Sequence, residues 1–348
     1  MACTSGESTT AEQWTGATTI SALHRDVIES HILTRLDGAS LGSAAATCSQ
    51  LHALSSSDHL WSRACRSMWP STNSPRVSQV ISTFPNGFRS FFSDSFTASH
   101  PPVTVITNSS NGCTKIQESV TTEIISAVDL FYGEDLILSK VIETETETGW
   151  FLCSPFRVDL LDPKETVRTQ VSYRDDTCHN MVERLRLSWI VIDPAKNRAV
   201  NVASRRAVSV RRHWLTGEVE ARFPMVVSGG ERGTAAEAAV CGAVVTWGVS
   251  SDGGEMHVRE VSLQIEDMDG THLNGRDSLV ILKRALEGKR VKTNVEEEEK
   301  RCEEFMKEKE ERKERKARVE GRLDMLCVGL ATLAFAGLFG LFVFWRWH

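Results

Sequence analysis

Apolar residues recur at helical spacing from Ile20 to about Trp69. Leu23, Val27, Ile28, Ile32, Leu33 and Leu36 fall on one stripe of a helical wheel, with Arg25, Glu29 and Arg35 off it. Asp37-Gly38 closes this helix. Ser40 can cap a second helix carrying Leu41, Ala44, Ala45 and Cys48, and Ser57 or Asp58 a third carrying Leu60, Trp61, Ala64, Cys65 and Met68. Three short helices in 20–69 enclose little core, so the unit gains stability by docking on a partner or a neighbouring domain. Residues 1–19, rich in Ser and Thr, read as a disordered leader.

Residues 70–118 are Ser-, Pro- and Asn-rich but contain Phe84, Phe88, Phe91, Phe92 and Phe96. That predicts a linker packed on its neighbours, since five phenylalanines are costly in water. From about Ser119 the period changes to two. Ile124–Leu130 and Leu136–Val141, separated by Gly133-Glu134, predict a hairpin. Further strands are predicted at Trp150–Leu161, Leu185–Ile192, Ala199–Val202, Ala207–Trp214, Val219–Val227, Val240–Val249 and Met256–Glu266, with Asp277 capping a closing helix over Ser278–Leu286. Many short strands with turn signals between them predict an antiparallel β-sandwich-like domain over 119–290, and an α+β chain as a whole.

The pattern then changes twice more. From Lys283 to Arg322, 27 of 40 residues are charged, and acids precede bases by four residues at Glu303–Lys307, Glu308–Arg312, Glu311–Arg315 and Glu314–Arg318. This order stabilises a solvated helix and predicts a semi-rigid spacer over 291–325. Its basic cluster at 312–318 could also attract anionic lipid, although interleaved glutamates weaken that reading. Leu326–Trp345 holds 20 residues and no charge, enough to span about 30 Å of hydrocarbon as a helix. A buried core helix is the alternative, but it would show a polar face, and here only Thr332 and small residues interrupt the apolar run. Arg312, Lys313, Arg315, Lys316, Arg318 and Arg322 precede the span, whereas Arg346 and His348 follow it. Basic residues stay on the cytosolic side, so the expectation is a tail anchor with the preceding residues in the cytosol. The endoplasmic reticulum is the first candidate membrane and another organelle surface the second. Ala336 and Gly340 have the small-xxx-small spacing of a helix-packing contact, although small residues are equally tolerated in lipid without a partner.

Composition averages over these parts. A 41% hydrophobic and 25% charged chain with net charge −6 excludes wholesale disorder and a multi-pass membrane protein. Nine cysteines, none at CxxC spacing, support neither a zinc site nor a disulfide framework and suit a reducing cytosol. No secretory signal peptide is expected at Met1–Gly16, which makes the sequon at Asn108 a chance match. No nucleotide-binding, metalloprotease, hydrolase or kinase signature occurs, and Ser228–Gly233 lacks the lysine and following helix of a phosphate loop. Neither an enzyme nor a cofactor is therefore expected, and the net charge argues against nucleic acid. Arg205, Arg206, Arg211, Arg212, His213 and Trp214 make the one basic-aromatic concentration in the β-domain. It is a candidate site for acidic peptide, phosphate or glycan, or else a solvated strand face beside a buried tryptophan.

The helical unit reads Leu23-His24-Arg25-Asp26-Val27-Ile28, His31-Ile32-Leu33-Thr34-Arg35-Leu36, Leu41, Cys48-Ser49-Gln50-Leu51 and Leu60-Trp61. It resembles an F-box, whose pattern is LPxDLLxxILxRLPxxxLxxxxxVCRxW followed by a late Leu-Trp. His24 stands where the family has proline, and Leu51 where it has tryptophan. Longer strings are similar to a plant F-box protein family, among them Gly149-Trp150-Phe151-Leu152-Cys153-Ser154-Pro155-Phe156-Arg157, His213-Trp214-Leu215-Thr216-Gly217-Glu218 and His272–Ser278. The β-domain also resembles the phloem-lectin domains found behind other F-boxes. The resemblance implies a non-catalytic substrate receptor that docks on a Skp-type adaptor and so joins a cullin–RING ubiquitin ligase. Leu23, His24, Val27, Ile28, Ile32, Leu33, Leu36, Leu41, Leu60 and Trp61 would supply both the module's own core and its adaptor contacts. Spacing alone does not divide these two sets. The β-domain would read an unknown protein substrate or ligand.

Overall fold

The computed structural model describes residues 23–97, 121–174, 177–228, 238–250, 254–290 and 295–347. The leader 1–19, the second part of the 70–118 segment, most of the Ser228–Gly233 loop and the turn at 251–253 lie outside them. The chain divides into two compact units, Met1–Ser67 and Met68–His348.

The first unit begins with helix α1 (Arg25–Val27), which runs into π-helical Ile28–Ile32 and a 3-10 turn at Leu33–Arg35. The amide of Leu33 donates to the carbonyl of Ile28, one residue further back than in an α-helix. The wider turn brings Leu33 to the same face as Ile28, and both are buried. Helices α2 (Gly38–Ala45), α3 (Ser49–Ser55) and α4 (Asp58–Met68) follow. Asp37, not Ser40, caps α2: its carboxylate accepts from the Ser40 amide at 2.8 Å. Helix α3 has no counterpart in the three-helix reading. The Cys48 sulfur accepts from the Leu51 amide at its start, and Leu51 and Leu54 are buried. Trp61 is buried and its indole N–H donates to the Ser55 carbonyl at 2.7 Å, which satisfies the one polar atom of the ring.

The second unit is built on two antiparallel sheets. The four-stranded sheet has the order β2 (Asp135–Glu145), β1 (Glu123–Tyr132), β5 (Leu185–Asp193), β6 (Arg198–Asn201). Gly133, at φ 65°, makes the β1–β2 turn. The six-stranded sheet runs β3 (Arg157–Asp159), β10 (Glu255–Asp267), β9 (Ala238–Val249), β8 (Val219–Ser228), β7 (Ser209–Arg212), with β4 (Val167–Ser172) also paired to β10. Val128, Leu130, Trp189 and Val191 of the first sheet share one buried core with Phe223, Val245, Trp247 and Leu263 of the second. Helix α9 (Gly275–Glu287), capped by Asn274 at 2.9 Å and starting earlier than an Asp277 cap would allow, adds Ile281, Leu282 and Ala285 to it.

The inner strands β1 and β5 of the four-stranded sheet are buried on both faces, whereas the edge strand β2 is largely not. Ile125, Ala127, Ile190 and Ile192, which alternate with the core residues, are fully buried as well. The segment from 70 to 94 forms a 3-10 turn (Pro70–Asn73) and helices α5 (Pro75–Ser82) and α6 (Gly87–Asp94) in place of irregular linker. Trp69, Phe84, Phe91, Phe92 and Phe96 make an aromatic cluster with centroid separations of 5.2–6.1 Å. This layer is pinned to β1, where the Asp129 carboxylate accepts from the Ser71 amide at 2.8 Å and the Ser71 hydroxyl at 2.6 Å.

Two further elements depart from the alternating pattern. Helix α7 (Gly149–Cys153) replaces the first half of the strand expected at Trp150–Leu161, because Thr148 caps it and Ser154-Pro155 ends it. Helix α8 (Thr177–Arg184) buries only Thr177 and Met181, too few for a readable period. The last helix, α10 (Val295–Trp347), is continuous through the charged stretch and the apolar stretch.

Candidate functional site

The π-helical turn sorts the first apolar stripe into two rows. Ile28 and Leu33, with Leu41, Leu60 and Trp61, are buried and hold the module together. Leu23, Val27 and Ile32 are 45%, 41% and 41% exposed, and Leu36 is half-buried. Val27 and Ile32 have the same five-residue spacing as Ile28 and Leu33, so the same wide turn that gathers the core row also gathers the outer one. His24, exposed, accepts from the Asp26 amide through Nδ1 at 3.3 Å and so caps the helix start. Leu23, Val27 and Ile32 thus leave three large aliphatic side chains exposed in one row on a small module.

The six basic-aromatic residues of the β-domain do not converge. Arg206 bridges to Arg186 at the start of β5, and the Arg205 carbonyl accepts from Leu187, which places this pair beside the four-stranded sheet. Arg211 and Arg212 end β7 in the six-stranded sheet, and His213 and Trp214 lie in the hairpin that leads to β8. Trp214 is 88% exposed and Leu215 71%, so the tryptophan is not the buried ring of the solvated-strand alternative. The spacing of the motif did not reveal two supports of this hairpin. The Arg212 guanidinium lies 4.9 Å from the Tyr173 ring centroid, and Arg259 pairs with Glu218.

Helix α10 is docked over its first turns and free afterwards. Cys302 and Phe305 are buried, with Phe305 packed among Val226, Ala238, Val240 and Met268. Lys309 pairs with Glu266 at 2.7 Å, and Arg312 with Asp269 at 3.8 Å instead of with Glu308. Beyond these contacts Glu314 and Arg318 pair at 3.0 Å along the helix as their spacing predicts, and every described side chain from Lys313 onward is exposed. Val328, Leu333, Phe335, Phe339 and Phe342 are among the apolar side chains left uncovered, and Ala336 and Gly340 share this exposed stretch. Burial pushes the Cys65 and Cys302 thiols up and the Cys241 thiol up to about 12, which leaves these three protonated and unreactive.

Comparison with known proteins bears on the first of these surfaces. Residues 27–67, almost the whole helical unit, match the F-box-like family. Over 332 residues the chain is 47% identical to the Arabidopsis thaliana "Probable F-box protein At2g36090", covering 94% of each chain. It is 46% identical over 320 residues to "F-box protein At2g27310" of the same plant, covering 89% of this chain and 92% of the relative. The chain belongs to the plant F-box proteins. The relationship extends through both units, since "F-box protein At3g44326" is also 45% identical over 297 residues, covering 82% of this chain and 79% of the relative. No solved structure matches the chain. F-box proteins generally bind Skp-type adaptors and act as non-catalytic substrate receptors. Among the described residues of this protein's F-box, Leu23, Val27 and Ile32 are the large apolar side chains that stay exposed.

Proposed function

We propose that this F-box protein is the substrate-receptor subunit of an SCF ubiquitin ligase, anchored to a membrane by its C-terminal helix with the bulk of the chain in the cytosol. The observation that carries the reading is the division of the F-box stripe into a buried row and an exposed row. Leu23, Val27, Ile32 and Leu36 contact the Skp-type adaptor, and Ile28, Leu33, Leu41, Leu60 and Trp61 hold the surface in shape. The receptor contributes proximity, not chemistry: it holds a substrate lysine near the charged conjugating enzyme. The β-rich domain over 119–290 reads the substrate, 70–118 links it to the F-box at 20–69, 291–325 is the spacer and 326–345 the span. For the anchor, the support is an exposed helix of bilayer length and composition with most of its flanking basic residues on the upstream side.

The test is affinity purification of the full chain from plant cells. Wild type should bring down adaptor and cullin together, and a Val27→Glu/Ile32→Glu double variant should lose both while keeping the thermal stability of the wild type. Recovery of adaptor without cullin, or of neither, would sink the ligase reading. A second reading is then favoured, that of a membrane-anchored scaffold or lectin- or lipid-binding protein whose F-box works outside a ligase. His24 supports it, because its side chain caps α1 at the position where the F-box pattern has proline.

A further inference from the structure

The β7–β8 hairpin spends surface energy in a way the fold does not require. Trp214 and Leu215, at its tip, expose two large apolar side chains side by side. Yet the hairpin is held stiffly. The Gly217 amide donates to the His213 carbonyl at 2.9 Å, with Gly217 at φ 73° where a side chain would be strained. The His213 amide donates to the Glu218 carbonyl at 2.7 Å, and the Thr216 amide to His213 Nδ1 at 3.2 Å. The His213 ring stacks on Trp214 at 6.4 Å and 28°. A rigid loop that presents an uncovered tryptophan has already met the ordering cost of binding.

Arginines outnumber acids around the tip, Arg211, Arg212, Arg222 and Arg259 against Glu218 and Glu220. Its two nearest acids are each occupied by another arginine, Glu218 by Arg259 and Glu220 by Arg222. Arg211 faces Glu220 across the β7–β8 pairing, but among the described residues it has no ion pair of its own, and Arg212 rests on Tyr173. Arg211 and Arg212 are thus unneutralised charges beside Trp214 and Leu215. An acidic segment carrying apolar side chains matches this surface in both respects.

The same combination would suit anionic lipid, and the topology decides against it. Helix α10 docks on Val226, Ala238, Val240 and Met268, at the ends of β8 and β10 and the beginning of β9. The hairpin lies at the other end of β8, seven residues or about 23 Å away. The apolar stretch starts another fourteen residues, about 21 Å of helix, beyond Arg312. The tip is therefore displaced from the membrane-directed helix and faces the compartment in which a soluble substrate is met.

We propose that the hairpin Arg211–Leu215 is the substrate-reading surface of the β-domain, and that it takes an acidic peptide segment with interspersed apolar residues. This rests on the substrate-receptor reading above for its purpose, but not for its binding chemistry. The test uses full-length protein in phosphatidylcholine nanodiscs and fluorescence anisotropy with three labelled peptides of equal length, alternating Glu with Leu, Lys with Leu, and Glu with Ser. The Glu–Leu peptide should bind best. Trp214→Ala should weaken it by about tenfold or more, and Arg211→Glu should shift the preference to the Lys–Leu peptide. Both positions are exposed, so Trp214→Ala should melt with the wild type, and Arg211→Glu, which sets a second carboxylate opposite Glu220, only slightly below it. Equal affinity for the three peptides, or a Glu–Leu affinity indifferent to both substitutions, overturns the proposal. So does Trp214-dependent binding to phosphatidylserine vesicles in place of peptide. Adaptor capture on the same preparations separates the two readings. Its absence in wild type would remove the ligase role, while the peptide titration would still decide the hairpin.

Discussion

Asp129 lies on β1 with its carboxylate buried and met by three donors, the Ser71 amide, the Ser71 hydroxyl and the Ser139 hydroxyl at 2.7 Å. Burial outweighs these hydrogen bonds and holds the carboxyl above the ordinary value of 3.8. The folded chain therefore keeps this proton to higher pH than the unfolded chain does. The resulting stabilisation is present in acid and is lost as pH rises from the unfolded value through the folded one. Asp129→Asn keeps an acceptor for the Ser71 amide and cannot titrate. Urea unfolding across a pH series should show wild type losing stability relative to the variant through that interval, with a constant difference above it. Asp129→Ala should cost about 1–3 kcal/mol for each donor left unmet. In the F-box, Trp61→Ala should cost about 3–5 kcal/mol, because it empties a buried site and frees the Ser55 carbonyl. Val27→Ala should cost less than about 1 kcal/mol at its exposed position. Neither Asp129 nor the inner and outer rows could be sorted from spacing. A buried aspartate looks like any strand aspartate until Ser71 arrives from 58 positions away and Ser139 from the neighbouring strand. The two rows depend on the shifted hydrogen bonding of the π-helical turn Ile28–Ile32, which Leu33 to Ile28 closes.

At the scale of elements, strands were legible where alternation was long and turns were marked. The hairpin around Gly133 and the strands β5, β8, β9 and β10 fall within a few residues of their expected spans. Helices α7 and α8 were not, since each is one or two turns long and is decided by a cap or by a single buried methionine. The charged helix shows how a small signal can hide in a strong one. Its acid–base spacing describes a solvated rod, yet Cys302, Phe305, Lys309 and Arg312 fall on one face and fasten it to the sheet. Phe305→Ala should release that fastening. Hydrogen exchange of amides 300–312 should rise by about thirtyfold, corresponding to a loss of roughly 2 kcal/mol of local docking energy. Amides of the central strand β9 should be unchanged. Arg290 is a second such fastening. Its guanidinium, half-buried and lowered to about 10 by desolvation, donates to the carbonyls of Asp94, Ala199, Ala285 and Leu286 at 2.6–2.9 Å. Arg290→Lys keeps the charge but loses the planar fork, and should lower stability by about 1–3 kcal/mol in a urea titration.

At the scale of the molecule, the docked helix changes what a membrane anchor would do. A flexible tether would let the β-domain sample every orientation above the bilayer. Here the helix is continuous from the turns packed on the sheet to Trp347, and the exposed length between Arg312 and Leu326 is about 21 Å. Insertion of Leu326–Trp345 would therefore fix the height of the β-domain as well as its location. Removing the span should release the protein: residues 1–322 should wash off membranes in alkaline carbonate, and residues 1–348 should resist it. Equal extraction of the two would show that the apolar stretch is not a span. Height is tested separately by inserting two glycines after Glu314, beyond the last docked residue. The insertion should leave carbonate resistance intact and the urea stability of the β-domain unchanged. Energy transfer from a fluorophore on the β7–β8 hairpin to a lipid-surface acceptor should then broaden from one distance to a range. A distribution already broad in the unmodified chain would mean that the helix bends between Arg312 and the bilayer, and that docking at Phe305 sets no height.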